Sequence, residues 1–136
     1  MDTQAALATV NRYLKIMLTD NNHGQGLEEI LTDDFIFDDP FNKTSTAREF
    51  VAKTQPWIAT RKTFRMDRQF VEGDRVCSTY RIDVATPSGA TVGFDLVDIV
   101  EFRGSRIARE WVYFANPVQF AKEMGFLSAY LKAFGV

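Results

Sequence analysis

An α+β fold is predicted here, with helices first and a strongly curved antiparallel sheet packed on them. Three observations in the 136 residues carry it. Apolar residues recur at helical spacing near the N-terminus. From Lys62 onward the period switches to strict alternation. Short Gly-, Pro- and Asp-containing turns then cut the alternating stretch at even intervals. Helices followed by a run of hairpins form an α+β pattern.

The first helix covers residues 3 to about 20. Ala6, Val10, Tyr13 and Met17 share one face, with Leu7 and Leu14 beside them, and Thr3 is the expected N-cap. "DNNHGQG" breaks the chain. "LEEILTDD" forms a short second helix whose Asp33-Asp34 leads into a strand at 35–39. "PFNKTS" is a turn. Ser45 or Thr46 caps a third helix that runs to about Gln55, where Pro56 stops it. Four strands follow at 62–72, 75–86, 90–103 and 106–115, separated by "EGD", "TPSGA" and "RGS". Connections this short make antiparallel neighbours, a meander. The tail from Pro117 gives one or two short helices split near Gly125. Its stripe of Phe126, Leu127, Tyr130, Leu131 and Phe134 packs over the domain as a lid or in a dimer. A long bent sheet around helices leaves a cone with an apolar mouth, and the 12 phenylalanines accord with that shape. No repeat or linker divides the chain, so one domain is expected over residues 1–136, with its core at about 5–115.

Composition narrows the function classes. Hydrophobic residues make up 46% and charged residues 25%, the balance of a globular protein, and the net charge is -2. No basic stripe accompanies the aromatics, so nucleic acid is not an expected partner. The single cysteine, Cys77, rules out an internal disulfide framework and a Cys–Cys metal cluster. Without a charged n-region ahead of an apolar run, and without a membrane-length apolar segment, a cytoplasmic chain with no membrane partner is expected. His23 is the only histidine and lies in a loop, so no metal site is expected. "GQG" and "PSG" are turns rather than phosphate-binding loops. Cys77 has no histidine partner to activate it. No cofactor is expected.

Alternation then sorts the acidic residues. In "DDFIFDDP", Phe35, Phe37 and Asp39 share a face, and Ile36 and Asp38 share the other. The phenylalanine face should point inward. In the strand at 90–103, Asp98 lies on one face with Phe94, Leu96, Val100 and Phe102. An aspartate in such surroundings tends to stay protonated, because desolvation disfavours its charge. It can then donate a hydrogen bond to a developing oxyanion. Asp39, at a strand end, is better solvated and suited to be an ionised general base. Tyr13, on the inward face of the first helix, supplies a second donor. The plainer readings are a turn opened by Asp39-Pro40, a buried pair between Asp98 and Arg68, and an ordinary core tyrosine at position 13. Arg68 is expected on one face with Phe64, Met66 and Phe70. Trp57, just after Pro56, lines the pocket mouth or staples the helix end.

With "VNRYLKIM", "LTDDFIFDDPF" and "DLVDIVEFRGSRIAREWVYF" in this order, the chain resembles the nuclear transport factor 2-like superfamily, in its SnoaL-like and ketosteroid isomerase-like branch. The resemblance covers about residues 5 to 115. It implies a cone-shaped curved sheet over three helices, an apolar pocket in the cone, and commonly a homodimer built on the sheet. Ketosteroid isomerases of this fold use a helix-one tyrosine and a protonated aspartate as oxyanion hole, with a strand-one aspartate as base. Matched one by one, these are Tyr13, Asp98 and Asp39; that enzyme is itself a standard illustration of separated carboxyl pKa values. Two departures stand out. SnoaL-type polyketide cyclases carry an acid after the last-strand tryptophan, where this chain has Val112. Glu110 shares the inward face with Val112 and Phe114, where the isomerase has an apolar residue; it would pair with Arg68 or repel Asp98.

The resulting expectation is an isomerase- or lyase-like domain that removes a proton α to a carbonyl. Asp39 is the base, and Tyr13 and Asp98 hold the enolate oxygen. A small apolar molecule sits among Phe35, Phe37, Trp57, Phe94, Phe102, Glu110 and Phe114. Two alternatives share the fold: a binding module without catalysis, and a dimerisation or accessory domain with the cone filled by side chains.

Overall fold

The computed structural model describes residues 2–19, 22–133 and 135. The helical entry is α1, Thr3–Leu18, and α2, Leu27–Ile30. A strand β1, Leu31–Asp38, and a two-residue strand β2, Lys43–Thr44, precede α3, Ala47–Lys53, and α4, Gln55–Ala59. The long strands are β3, Lys62–Glu72, β4, Arg75–Ala85, β5, Thr91–Arg103, and β6, Arg106–Phe114. The tail forms α5, Pro117–Glu123, and α6, Leu127–Ala133. Asp20, at the expected end of the first helix, and Phe134, in the expected tail stripe, lie outside the described residues.

Six strands make one curved, unclosed sheet in the order β2-β1-β6-β5-β4-β3. The meander from β3 to β6 is antiparallel throughout. β1 instead runs parallel to β6, which sets Phe37 beside Glu110. Helix α1 lies against the concave face, with Val10 and Tyr13 sealed at 0% and 1% exposure. Each large apolar side chain sealed this way contributes roughly 1.5–3 kcal/mol of transfer free energy. The inward set of β5, namely Phe94, Leu96, Asp98, Val100 and Phe102, is buried at every member.

Several local expectations need correction. Asp2, not Thr3, caps α1: its carboxylate accepts from the Gln4 amide, one residue earlier than the apolar stripe indicated. Thr46 does cap α3, accepting from the Glu49 amide. Pro56 does not end the helical region. It sits in the first turn of α4, where a missing N–H costs nothing because that donor has no intrahelical partner. "LTDD" belongs to β1 rather than to a helix, since tertiary pairing with β6 outweighs its local preference. The largest correction concerns Arg68. A bulge between Met66 and Arg68 places one extra residue, Asp67, in β3, held by the Thr79 hydroxyl at 2.9 Å. Beyond it every side chain changes face. Phe64 and Met66 remain inward, while Arg68 and Phe70 point to solvent and Gln69 and Val71 take the inner positions.

Candidate functional site

The inner end of the cone holds a cavity of about 310 Å³ between α1, the turn after β1, α3, α4, the sheet and α5. That volume lies at the small end for ligand sites. The tail helices close one wall through Phe120, Met124 and Phe126. Phe41 anchors them, its ring 5.1–5.2 Å from those of Phe114, Phe120, Phe126 and Tyr130. Six of the residues singled out in the sequence line the cavity: Tyr13, Phe37, Asp39, Trp57, Glu110 and Phe114. Phe35, Phe94 and Phe102 do not; they belong to the buried core around it. Phe35 packs edge-on to Phe50 at 5.0 Å, and Phe94 on Phe120 at 5.1 Å. Asp98 lies behind the cavity wall rather than on it. Alternation assigns a face, but the depth along a strand at which that face meets the cavity depends on the sheet's curvature.

Asp39 follows the last residue of β1 and opens the turn to β2. Its Oδ1 accepts from the amides of Phe41 at 2.7 Å and Asn42 at 2.6 Å, and its own amide donates to the Asn42 carbonyl. The Asp-Pro turn is therefore present. Burial pushes Asp39 up to about 6, and the two amide donors oppose that rise. It is thus a carboxylate at neutral pH, with a basicity better matched to proton transfer than an ordinary surface aspartate.

Beside Asp39, on the adjacent strand β6 where Glu110 pairs with Phe37, begins a buried polar cluster. The Tyr13 hydroxyl donates to Oε1 of Glu110. Glu110 and Asp98 are 2% and 1% exposed. Because the bulge turns Arg68 outward, no ion pair neutralises either one, and the expected Asp98–Arg68 or Glu110–Arg68 pairing is absent. Burial raises Glu110 well above the usual carboxylate range, and the neighbouring Asp98 charge adds to this. Burial also raises Asp98, while Tyr80 and Glu110 act to favour its charge. Neither Asp98 oxygen has a partner with hydrogen-bond geometry. Burial, followed by the same two carboxyls, lifts the Tyr13 and Tyr80 phenols well above their ordinary range, so both are neutral donors.

Sequence reasoning missed Tyr80, which lines the cavity from β4, and Thr44, whose buried Oγ1 has no partner. The signal for Tyr80 was present: it alternates in register with Val76, Ser78, Ile82 and Val84, all buried. Thr44 carried no signal, because β2 is only two residues long. Lys53 is the one basic residue at the cavity rim, and it pairs with Glu49 at 3.3 Å. Among the described residues no group of three or more His, Cys, Asp or Glu side chains is placed to hold a metal ion.

The fold and the helix-to-sheet order agree with a family model, the SnoaL-like domain, that matches residues 10–110. The chain belongs to the SnoaL-like domain family. No curated protein matches its sequence. Solved structures share the SnoaL-like architecture at low identity. A provisionally named isomerase from Bacillus subtilis superposes with a TM-score of 0.77 at 16% identity, over 93% of this chain and 97% of its own. TsrD from Streptomyces laurentii gives 0.75 at 17% identity, over 93% and 99%. An LEH-like epoxide hydrolase from M. tuberculosis gives 0.71 at 16% identity, over 97% and 96%. At these identities the likeness speaks for the SnoaL-like fold alone. No helix among the described residues is long and apolar enough to cross a membrane.

Proposed function

We propose that this SnoaL-like domain takes a compact, largely apolar carbonyl compound into the cavity and removes a proton from the carbon next to the carbonyl. Asp39, as carboxylate, accepts that proton and becomes a carboxylic acid. The electron pair of the broken C–H bond forms a carbon–carbon double bond, and the carbonyl π pair moves onto the oxygen. The neutral Tyr13–Glu110 cluster faces that oxygen and stabilises its charge by hydrogen bonding. Returning the proton from Asp39 to another carbon completes an isomerisation; loss of a β-substituent instead makes the same chain a lyase. In this reading Glu110, not Asp98, is the carboxyl that meets the ligand, because Glu110 lines the cavity and Asp98 does not.

One observation carries the proposal. A single small cavity is lined both by an aspartate poised near pH 6 and by a neutral carboxyl–phenol cluster. Two titratable sites driven apart by their surroundings form an acid/base constellation. A cavity of about 310 Å³ weighs against a cone filled by side chains. The turn bonds of Asp39 favour the rival reading, a binding module in which that residue only shapes the loop.

The deciding experiment pairs binding with exchange. Fluorescent 2-naphthol reports phenolate binding, and loss of α-protons from small cyclic ketones in heavy water reports abstraction by NMR. The catalytic reading expects naphtholate binding, weakened in Tyr13→Phe and Glu110→Gln. It also expects ketone exchange that falls roughly 10²–10⁴-fold in Asp39→Asn. Tight binding with an exchange rate that Asp39→Asn leaves unchanged sinks catalysis and leaves the binding module.

A further inference from the structure

The proposed reaction uses Tyr13, Asp39 and Glu110 and leaves Asp98 without a part, although burying a carboxyl without a cation is costly. Its placement supplies the reason. Asp98 pairs with Val112 across β5 and β6, and Glu110 is two residues from Val112, the diagonal position within reach of long side chains. Both carboxyls are sealed from solvent. The titratable groups acting on the pair are Tyr13 from α1, Tyr80 and Cys77 from β4, and Asp39 beyond β1. None of these carries positive charge, and Arg68 faces out beyond the bulge. Two carboxylates at such a site cannot both ionise, so the pair keeps a proton.

We propose that Asp98 and Glu110 form a one-proton carboxyl dyad in which Asp98, from behind the cavity wall, keeps the cavity-facing Glu110 protonated and able to donate to a ligand oxygen. The hydrogen bonding directs that donor. Tyr13 occupies Oε1 of Glu110, which leaves Oε2 for the proton. Glu110 and Asp98 also lie within side-chain hydrogen-bonding reach of each other, so the two carboxyls share that proton until a ligand oxygen enters the cavity. Asp98 is thus a positioning residue that works through the protonation of Glu110. Only the last step, donation to a ligand, rests on the function proposed above; the dyad is a property of the free protein.

The test is a pH titration of the full-length chain, labelled with ¹³C at the side-chain carboxyls and followed by NMR. In the native protein both carboxyl signals should follow a shared two-step curve, with the principal Glu110 step well above the ordinary carboxylate range. In Asp98→Asn the Glu110 midpoint should fall by about one pH unit or more, because the neighbouring charge is gone while the burial remains. Asp98→Glu, which restores the charge, should restore the high midpoint. A Glu110 midpoint that is the same in native and Asp98→Asn protein overturns the dyad. If Asp98→Asn does not fold, the native curves decide: independent single steps for the two carboxyls overturn it. Ketone exchange that fails to appear would retire the proposed reaction without moving these titrations.

Discussion

Asp39 does two things with one side chain: Oδ1 holds a turn, and the residue lines the cavity. Its pKa is raised from 3.8 to about 6. A raised carboxyl binds its proton more tightly in the folded chain than in the unfolded one. Its contribution to stability is therefore fully present below about pH 3.8 and lost as pH rises through about 6. Proton abstraction has the opposite sign, since the base form appears only as pH rises through the same value. Urea midpoints and ketone-exchange rates measured between pH 4 and 8 should thus run in opposite directions across that window. Asp39→Asn should flatten both trends. In the neighbouring cluster, Tyr13→Phe removes a buried donor from Glu110. We expect it to cost roughly 1–3 kcal/mol in urea unfolding, and to weaken naphtholate binding. A variant as stable as the native chain would mean that the Tyr13–Glu110 hydrogen bond contributes nothing net.

At the scale of elements, the β3 bulge decides the electrostatics of the interior. One inserted residue exchanges Arg68 for Gln69 on the inner face and leaves the buried acids without a cation. Gln69 uses that position, donating to Ser78 at 3.1 Å and to Asn11 on α1 at 2.9 Å. Arg68→Ala should therefore change stability by no more than about 0.5 kcal/mol, the usual range for an exposed site. A loss of roughly 3–5 kcal/mol would restore the buried ion pair that the alternation alone implies. The tail helices make a second test. Phe120 is 5% exposed and touches the rings of Phe41, Trp57, Phe94, Phe114 and Phe126. Phe120→Ala should cost roughly 3–5 kcal/mol by urea unfolding if α5 unfolds together with the sheet. In contrast, α6 buries no residue fully, so its amides should exchange with deuterium ahead of those in β4 and β5.

For the molecule as a whole, a net charge of -2 matters less than where the charge lies. The cavity interior carries Asp39 and Glu110 with Asp98 behind it, and its one rim cation is paired with Glu49. A ligand that arrives neutral and develops its charge against the Tyr13–Glu110 donors enters without repulsion, while one that arrives already anionic meets a carboxylate in a weakly screened site. Neutral 2-naphthol near pH 7 should therefore bind at least about tenfold more tightly than 2-naphthoate of similar size, a difference of about 1.4 kcal/mol. Equal affinities in a fluorescence competition would show that the interior carboxyls do not set ligand charge. The SnoaL-like architecture is shared with structures bearing isomerase and epoxide hydrolase names, so selectivity has to come from these side chains.

The alternating stretch from Lys62 to Phe114 determined its strands almost to the residue, because a period of two and Gly-containing turns are local signals. It also determined that Asp98 and Glu110 face inward: alternation holds throughout β5, and in β6 it holds from Glu110 to Phe114, past a bulge at Ala108. Three things were decided only in the folded chain. The parallel pairing of β1 with β6 joins residues some seventy positions apart, and no turn signal encodes it. The bulge at Asp67 reversed the faces of half a strand, which a pattern read residue by residue cannot anticipate. The curvature of the sheet then chose which inward residues reach the cavity, placing Glu110 and Tyr80 on its wall and Asp98, Phe94 and Phe102 beyond it. Away from bulges, facing is set by the backbone's local pleat and so is written in the sequence, whereas bulges, depth and charge pairing are set by how distant strands bend towards one another.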